Sequence, residues 1–280
     1  WTKGGASIQG DPSTAGVDLL SGWDFTSGWI TFGGGTSITN STSFVSESGQ
    51  GVFTGLGIDT SKTYRIRITG IQPSGGYISL KGGTTGVGFK NITDLSFSED
   101  FYINATTLTS ASNDLYIRLS GHSSGTTITV NNFQIEEVQG FASPSADSPL
   151  GAFKMVEDTS TSDHFLFKNI ASADGLSNTF SVLVKPAGRT SIQIYNGDLD
   201  QQSSFFNLTT KTIVNGSSVV SSNIKELTDG WFKCSLTTTN AKKKIYIKLN
   251  NGTTSSYTGD GTSGVYIYGA QLEAGSYATS

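Results

Sequence analysis

Leu115-Tyr116-Ile117-Arg118-Leu119 and Ile245-Tyr246-Ile247-Lys248-Leu249 are two nearly interchangeable runs with an aliphatic residue at every second position. A period of two is the pleat of a β-strand, whose successive side chains point to opposite faces of a sheet. The likeness extends in both directions from this pair. Upstream, Thr63-Tyr64-Arg65-Ile66-Arg67-Ile68 matches Thr179-Phe180-Ser181-Val182-Leu183-Val184. Ser98-Glu99-Asp100-Phe101-Tyr102-Ile103 likewise matches Thr228-Asp229-Gly230-Trp231-Phe232-Lys233, an acidic turn feeding an aromatic strand. Downstream, Ile128 to Glu136 matches Val265 to Glu273. Matched strands recurring in one order at nearly constant offset mark an internal duplication of one strand plan.

Composition supports the same reading. The chain has 280 residues, including 35 Gly, and is only 14% charged and 11% aromatic. Long helices draw on Ala, Leu, Glu and Lys, which are scarce here. Short strands of Val, Ile, Thr, Phe and Tyr joined by Gly, Asn, Asp and Ser turns fit the same totals. The 16 Phe, 10 Tyr and 4 Trp supply enough apolar surface to exclude a disordered chain.

The expected fold class is therefore all-β, with tandem antiparallel β-sandwiches of the jelly-roll type. Length suits two domains. Residues 1–16 show no clean period and are read as an arm or linker. Residues 17–140 form the first module, 141–149 a linker and 150–280 the second module. The linker, from Phe141 to Pro149, holds two of the chain's 5 prolines.

The end of the chain, Gly264-Val265-Tyr266-Ile267-Tyr268-Gly269-Ala270-Gln271-Leu272-Glu273-Ala274-Gly275-Ser276-Tyr277-Ala278-Thr279-Ser280, resembles the closing strand of jelly-roll modules in tailed-phage virion proteins such as tail fibres, appendages and capsid decorations. Phe180 to Lys185 and Asp229 to Cys234 belong to the same pattern. Asp18-Leu19-Leu20-Ser21-Gly22-Trp23-Asp24-Phe25-Thr26-Ser27-Gly28-Trp29 resembles the opening of carbohydrate-binding jelly rolls, with Asp18 in place of the usual Asn. The first likeness implies a place on a virion surface or outside the cell, with neighbouring virion subunits as partners and a homo-oligomer, although no heptad repeat enforces one. The second implies a polysaccharide or cell-surface glycan as ligand and a structural Ca²⁺ near Asp24 and Glu136.

A sugar site needs aromatic faces for the pyranose ring and nearby amides, carboxylates or hydroxyls for its hydroxyls. Trp23, Trp29, Tyr77, Phe89 and Tyr102 are the aromatic candidates of the first module. In the second, Tyr195-Asn196-Gly197-Asp198-Leu199-Asp200-Gln201-Gln202 gathers an aromatic, amides and carboxylates in one hairpin loop, and Tyr195, Asn196, Asp198, Asp200 and Gln202 are its candidate ligand contacts. The bland alternatives are core plugs for the tryptophans and a solvated Asn-Gly turn for the loop.

Other classes are disfavoured. The formal net charge is −4, and the Lys242-Lys243-Lys244 run is read as an exposed loop or strand end, so a nucleic-acid footprint is missing. No segment approaches the roughly 18 apolar residues of a membrane span. The chain starts at Trp1 and reads as a mature product or a fragment. Its single cysteine, Cys234, is read as a small core residue. The two histidines, His122 and His164, sit in no triad or metal-ligand spacing, and His122 is expected in an exposed loop. An enzyme is not expected and no cofactor is required. Three roles follow: adsorption of a phage virion to polysaccharide, a structural spacer or decoration making subunit contacts, or accessory modules of a secreted polysaccharide-degrading enzyme.

Overall fold

The computed structural model describes residues 2–56, 59, 62–82, 88–103, 114–170, 177–197, 202–239, 244–276 and 278, with the side chains of Thr2 and Phe89 outside the description. Two short strands come first, β1 (Thr2–Gly4) and β2 (Ala6–Gln9). The stretch Gly10–Gln139 forms one unit, with β3 (Ile30–Phe32), β4 (Ser37–Asn40), β5 (Ser43–Ser46), β6 (Gly51–Gly55), β7 (Thr63–Ile71), β8 (Tyr77–Gly82), β9 (Gly88–Ile92), β10 (Ser96–Ile103), β11 (Asp114–Ser120) and β12 (Thr126–Val138). Gly140–Ser280 joins Trp1–Gln9 in the other unit. Its strands are β13 (Phe153–Glu157), β14 (Thr161–Asn169), β15 (Ser177–Ala187), β16 (Ser191–Asn196), β17 (Ser203–Asn207), β18 (Thr212–Asn215), β19 (Val219–Glu226), β20 (Phe232–Thr239), β21 (Lys244–Asn250), β22 (Ser256–Thr258) and β23 (Gly264–Ala274).

Each unit is an antiparallel jelly-roll sandwich, and the two share one strand order. In the first, a sheet β10-β7-β12-β5-β4 faces a sheet β3-β6-β11-β8-β9. In the second, β19-β20-β15-β23-β13-β2 faces β1-β14-β21-β16-β17-β18, with β22 added beside β14. Four strands of each sheet superimpose in topology: β5-β12-β7-β10 answers β13-β23-β15-β20, and β6-β11-β8-β9 answers β14-β21-β16-β17. The sheet holding the last strand of each sandwich is its closing-strand sheet, and the partner is the opposite sheet. The four strand pairs matched in the sequence, β7 with β15, β10 with β20, β11 with β21 and β12 with β23, all occupy corresponding places.

Alternation builds both cores. Tyr64, Ile66 and Ile68 of β7, Leu115, Ile117 and Leu119 of β11, and Val130, Phe133 and Ile135 of β12 meet in the first. Phe180, Val182 and Val184 of β15, Ile245, Ile247 and Leu249 of β21, and Cys234 and Leu236 of β20 meet in the second. Cys234 is fully buried, and burial pushes its thiol up, which removes it from thiolate chemistry.

The chain ends of the modules depart from expectation. Residues 1–16 do not form an arm: β1 pairs with β14 in the opposite sheet of the second sandwich, and β2 pairs with β13 in its closing-strand sheet. Gly5, at φ 58, turns the chain from one sheet to the other, and a Cβ there would lie 2.5 Å from the Asp163 carbonyl oxygen. Residues 10–16 lie in the first sandwich, where Asp11 caps the short helical turn Pro12–Thr14 by accepting from Ser13 N–H. The 141–149 stretch is a loop of the second unit closed by an antiparallel bridge between Phe141 and Ala152.

A buried ion pair anchors the second sandwich next to this edge. Arg189 donates to the fully buried Glu157 carboxylate from Nε (2.7 Å) and Nη2 (2.5 Å), and the Tyr257 hydroxyl and Asp260 N–H donate at 2.8 Å each. Burial pushes Glu157 upward, but the Arg189, Asp260 and Tyr257 hydrogen bonds outweigh it and hold the carboxyl below its ordinary range. Each oxygen of this carboxylate therefore accepts two hydrogen bonds within the fold.

Candidate functional site

The outer face of the closing-strand sheet in the second sandwich is arranged in cross-strand rows. One row runs Tyr268–Leu183–Lys233–Lys225 across β23, β15, β20 and β19. The next is Gln271–Ser181–Ser235–Asn223, and the third is Glu273–Thr179–Thr237–Ser221. Small hydroxyl residues occupy the two central strands of the second and third rows, so the sheet is low there. Taller side chains, the 144–147 loop and the segment at Ser276 and Ala278 stand around them. The result is a groove of about 980 Å³.

The groove floor is pre-set. Thr179 and Thr237 hydroxyls lie 2.8 Å apart, and Thr179 Oγ1 also donates to the Gly275 carbonyl at 2.9 Å. Ser181 at the base is 1% exposed, whereas Gln271, Asn223 and Lys225 at the sides are exposed. Tyr268 is half-buried and flanks the groove with an aromatic ring. The exposed Asn223, Lys225 and Gln271 and the half-buried Ser235 can receive a polyhydroxylated chain by hydrogen bonds, with Tyr268, Leu183 and Leu227 for apolar contact.

The corresponding face of the first sandwich is filled differently. Its rows are Glu136–Arg65–Tyr102 and Gln134–Arg67–Asp100. Arg65 grips Asp100 with two bonds, Nε to Oδ1 at 2.9 Å and Nη2 to Oδ2 at 2.6 Å. Arg67 Nη2 donates to Glu136 at 2.7 Å. Large, mutually paired charged side chains thus occupy this face, with Arg65 standing where the second sandwich has Ser181 and Arg67 where it has Leu183. Burial raises the Tyr102 phenol above its ordinary range.

The opposite sheets carry an outer aromatic rung at matching places. Phe53, Tyr116 and Lys81 lie side by side across β6, β11 and β8, and Phe167, Tyr246 and Tyr195 across β14, β21 and β16. Phe53 stacks on Tyr116 at 4.8 Å, while Tyr246 lies 5.5 Å from both Phe167 and Tyr195. Lys248 Nζ stands 5.2 Å over the Tyr195 ring.

The sequence-derived candidates are scattered over these surfaces. Trp29 is not a ligand platform: it is buried in the first core, 5.0 Å from Phe25 and 6.2 Å from Phe133. Trp23 is partly buried against the same core, edge to face with Phe25 at 5.1 Å. Tyr77 lies half-buried on the outer face of the opposite sheet, and Tyr102 on that of the closing-strand sheet, so the fold does not bring them together. Tyr195 is 6% exposed within the aromatic rung. Asn196 is fully buried and donates from Nδ2 to the Asn178 carbonyl at 2.9 Å, so it is a structural amide rather than a loop-tip contact. Gln202 is also buried. Asp198, Asp200, Lys242 and Lys243 lie outside the described residues.

Asp24 and Glu136 have separate engagements. Asp24 Oδ1 accepts from the amide and hydroxyl of Thr26, both at 2.7 Å, and Glu136 pairs with Arg67. The acidic residue bridged to Glu136 through the backbone is Asp18, whose carboxylate accepts from Leu20 N–H (3.0 Å) and Ile135 N–H (2.9 Å). Among the described residues, no three His, Cys, Asp or Glu side chains gather as a metal site. His122 is not exposed: it is 4% accessible, with Nε2 3.1 Å from Gln72 Oε1. His164 is fully buried between the Gly5 and Tyr257 carbonyls.

The groove residues were not singled out from the sequence. The available signal was the strand pattern itself: Thr179, Ser181, Leu183 and Lys185 occupy the non-core positions of a strand whose core positions are Phe180, Val182 and Val184.

No protein-family model matches this chain, and no curated protein matches it. Among solved structures, it is similar to the N-terminal CBM22-1–CBM22-2 tandem domain of Xyn10C from Paenibacillus barcinonensis, at 15% identity and a TM-score of 0.32, over 94% of this chain and 99% of that one. It is also similar to a secreted-protein candidate from Parabacteroides distasonis ATCC 8503, at 8% identity and a TM-score of 0.21, over 98% of each chain.

Proposed function

We propose that this chain is a non-catalytic pair of jelly-roll modules that adsorbs to polysaccharide through the groove of the second sandwich. The observation that carries the reading is the hydroxyl-floored groove of about 980 Å³, bordered by Tyr268, Gln271, Asn223 and two lysines. Its volume lies at the upper end of the range for ligand clefts, about 300–1,000 Å³. Its polar groups sit on strands, which hold them in place before a ligand arrives. The resemblance of the closing strand to phage modules supports a place on a tailed-phage virion, where many copies would multiply weak single-site binding. The same groove would serve accessory modules of a secreted polysaccharide-degrading enzyme.

A second reading applies to the first sandwich alone. Its mutually paired Arg65–Asp100 and Arg67–Glu136 face, together with the burial of Trp29 in its core, favours a structural spacer or decoration role. In that division, the duplicated fold binds glycan in one copy and holds position or contacts neighbouring subunits in the other.

The test is affinity electrophoresis of the full chain through a panel of soluble polysaccharides. Ser181→Arg places on β15 the residue type that the first sandwich carries on β7, and so fills the groove. Retardation of the parent by at least one polymer, lost in a Ser181→Arg variant with an unchanged circular dichroism spectrum, is the expected result. A folded variant that is retarded as strongly as the parent would exclude the groove.

A further inference from the structure

One carboxylate at the groove is left unused by the fold. Asp147 stands exposed on the 144–147 loop at the groove's border. Among the described residues, none donates a hydrogen bond to its side chain. The other charges here are placed differently. Lys233 and Glu273 are each already engaged within the fold. Lys225 lies on β19, three strands from Tyr268 in the same cross-strand row. Three strand spacings are about 14 Å, beyond the screening length of about 8 Å at physiological salt.

The loop that carries Asp147 is shaped by its own hydrogen bonds. Ser143 N–H donates to the Pro149 carbonyl at 2.9 Å and the Ser143 hydroxyl to the Ser148 carbonyl, while Asp147 N–H donates to Ser145 Oγ at 3.3 Å. Gly151 fixes where this loop stands. A Cβ there would meet the Ser148 side chain on one side and, at 2.9 Å, the Tyr268 ring on another. Asp147, the neighbour of Ser148, therefore shares the β23 border of the groove with the Tyr268 ring, and the hydroxyl floor of Ser181 and Ser235 lies beside them.

We propose that Asp147 sets which polysaccharide the groove takes: a neutral pyranose chain, one sugar of which lays its apolar face on Tyr268 and gives two adjacent hydroxyls to the Asp147 carboxylate. An ionised carboxylate only accepts, and its two oxygens can receive two neighbouring hydroxyls at once. Hydrogen bonds to a charged acceptor are stronger than those between neutral groups, so this contact outweighs any single hydroxyl of the floor. An anionic chain would instead bring its own charge against Asp147, and that repulsion rejects it. This inference rests on the groove being the binding site.

The experiment measures binding of the full chain by calorimetry to dextran, mannan and xylan, each beside its carboxymethyl derivative. The variants are Asp147→Asn, Ser181→Arg and the exposed control Asp94→Asn in the first sandwich. At least one neutral polymer should bind, and more tightly than its carboxymethyl form. Asp147→Asn should lose about tenfold or more of the affinity for the neutral polymer and narrow the gap between the two forms, while Asp94→Asn leaves both unchanged. A merely structural role for Asp147 would weaken both forms alike and leave their ratio as it was, which would overturn the assignment. Neutral-polymer binding that survives Asp147→Asn but is lost in Ser181→Arg would also overturn it and leave the groove reading standing. So would a parent that prefers the carboxymethyl form. Binding of no polymer at all would overturn the groove reading itself.

Discussion

The proton on His122 has a defined place. Gln72 Nε2 donates to the carbonyls of Ile92 (2.8 Å) and Asp94 (3.0 Å), which leaves its Oε1 to accept from the His122 Nε2–H. Burial holds the imidazole below its ordinary pKa of 6.5. The folded state therefore resists the proton that the unfolded chain accepts. The stability linked to this residue is present above pH 6.5 and declines as the pH falls below it. Thermal melts of the first sandwich between pH 7.5 and 5 should show that decline, and His122→Gln should flatten it; an unchanged slope in the variant would refute the assignment. Neither His122 nor Trp29 had its burial legible in the sequence, because both lie in Gly- and Ser-rich stretches with no strand period to assign a side. Where a period exists, residues are readable: Phe101 packs toward the core and the adjacent Tyr102 lies on the other face, as alternation requires.

At the scale of elements, the eight residues from Thr2 to Gln9 cover one strand edge of each sheet of the second sandwich, that of β14 and that of β13. Removing them would uncover the edges of β13 and β14, and unpaired edges are templates for association. A chain starting at Gly10 should lose stability in the second sandwich and tend to self-associate, with the first sandwich melting as before. Paired calorimetric scans and sedimentation check this, and an unaltered second transition would show that β1 and β2 are dispensable. These strands are too short for a period of their own, and their partners lie about 150 residues further along, so the sequence offered no local sign of the pairing. The duplicated strands were legible because each carries several alternating apolar residues. One match is nevertheless displaced: aligning Tyr102 with Phe232 sets an outward side chain against an inward one, since Phe232 faces the second core. A slip of one residue exchanges the two faces of a strand, so sequence likeness can identify a strand and still misplace its sides.

At the scale of the whole chain, two sandwiches share one topology and differ where their closing-strand sheets meet solvent. Core positions are constrained by packing and kept the duplication readable. Outer positions are free of that constraint and differ: Arg65 and Arg67, paired with carboxylates, stand on β7 where β15 carries Ser181 and Leu183. The groove was illegible because it is made by strands spread from β15 to β23 and by the smallness of residues, not by a motif. The loop at Tyr195 is by contrast a contiguous polar cluster in the sequence, yet Asn196 and Gln202 are buried. The most direct test of the central claim is a two-dimensional NMR titration of the full chain with an oligosaccharide cut from a polysaccharide it binds. The account predicts that the shifted signals cluster at Ser181, Asn223, Ser235, Tyr268 and Gln271, with the aromatic rung at Phe167 and Tyr246 undisturbed. Shifts confined to that rung, or to the Arg65 and Arg67 face of the first sandwich, would contradict it.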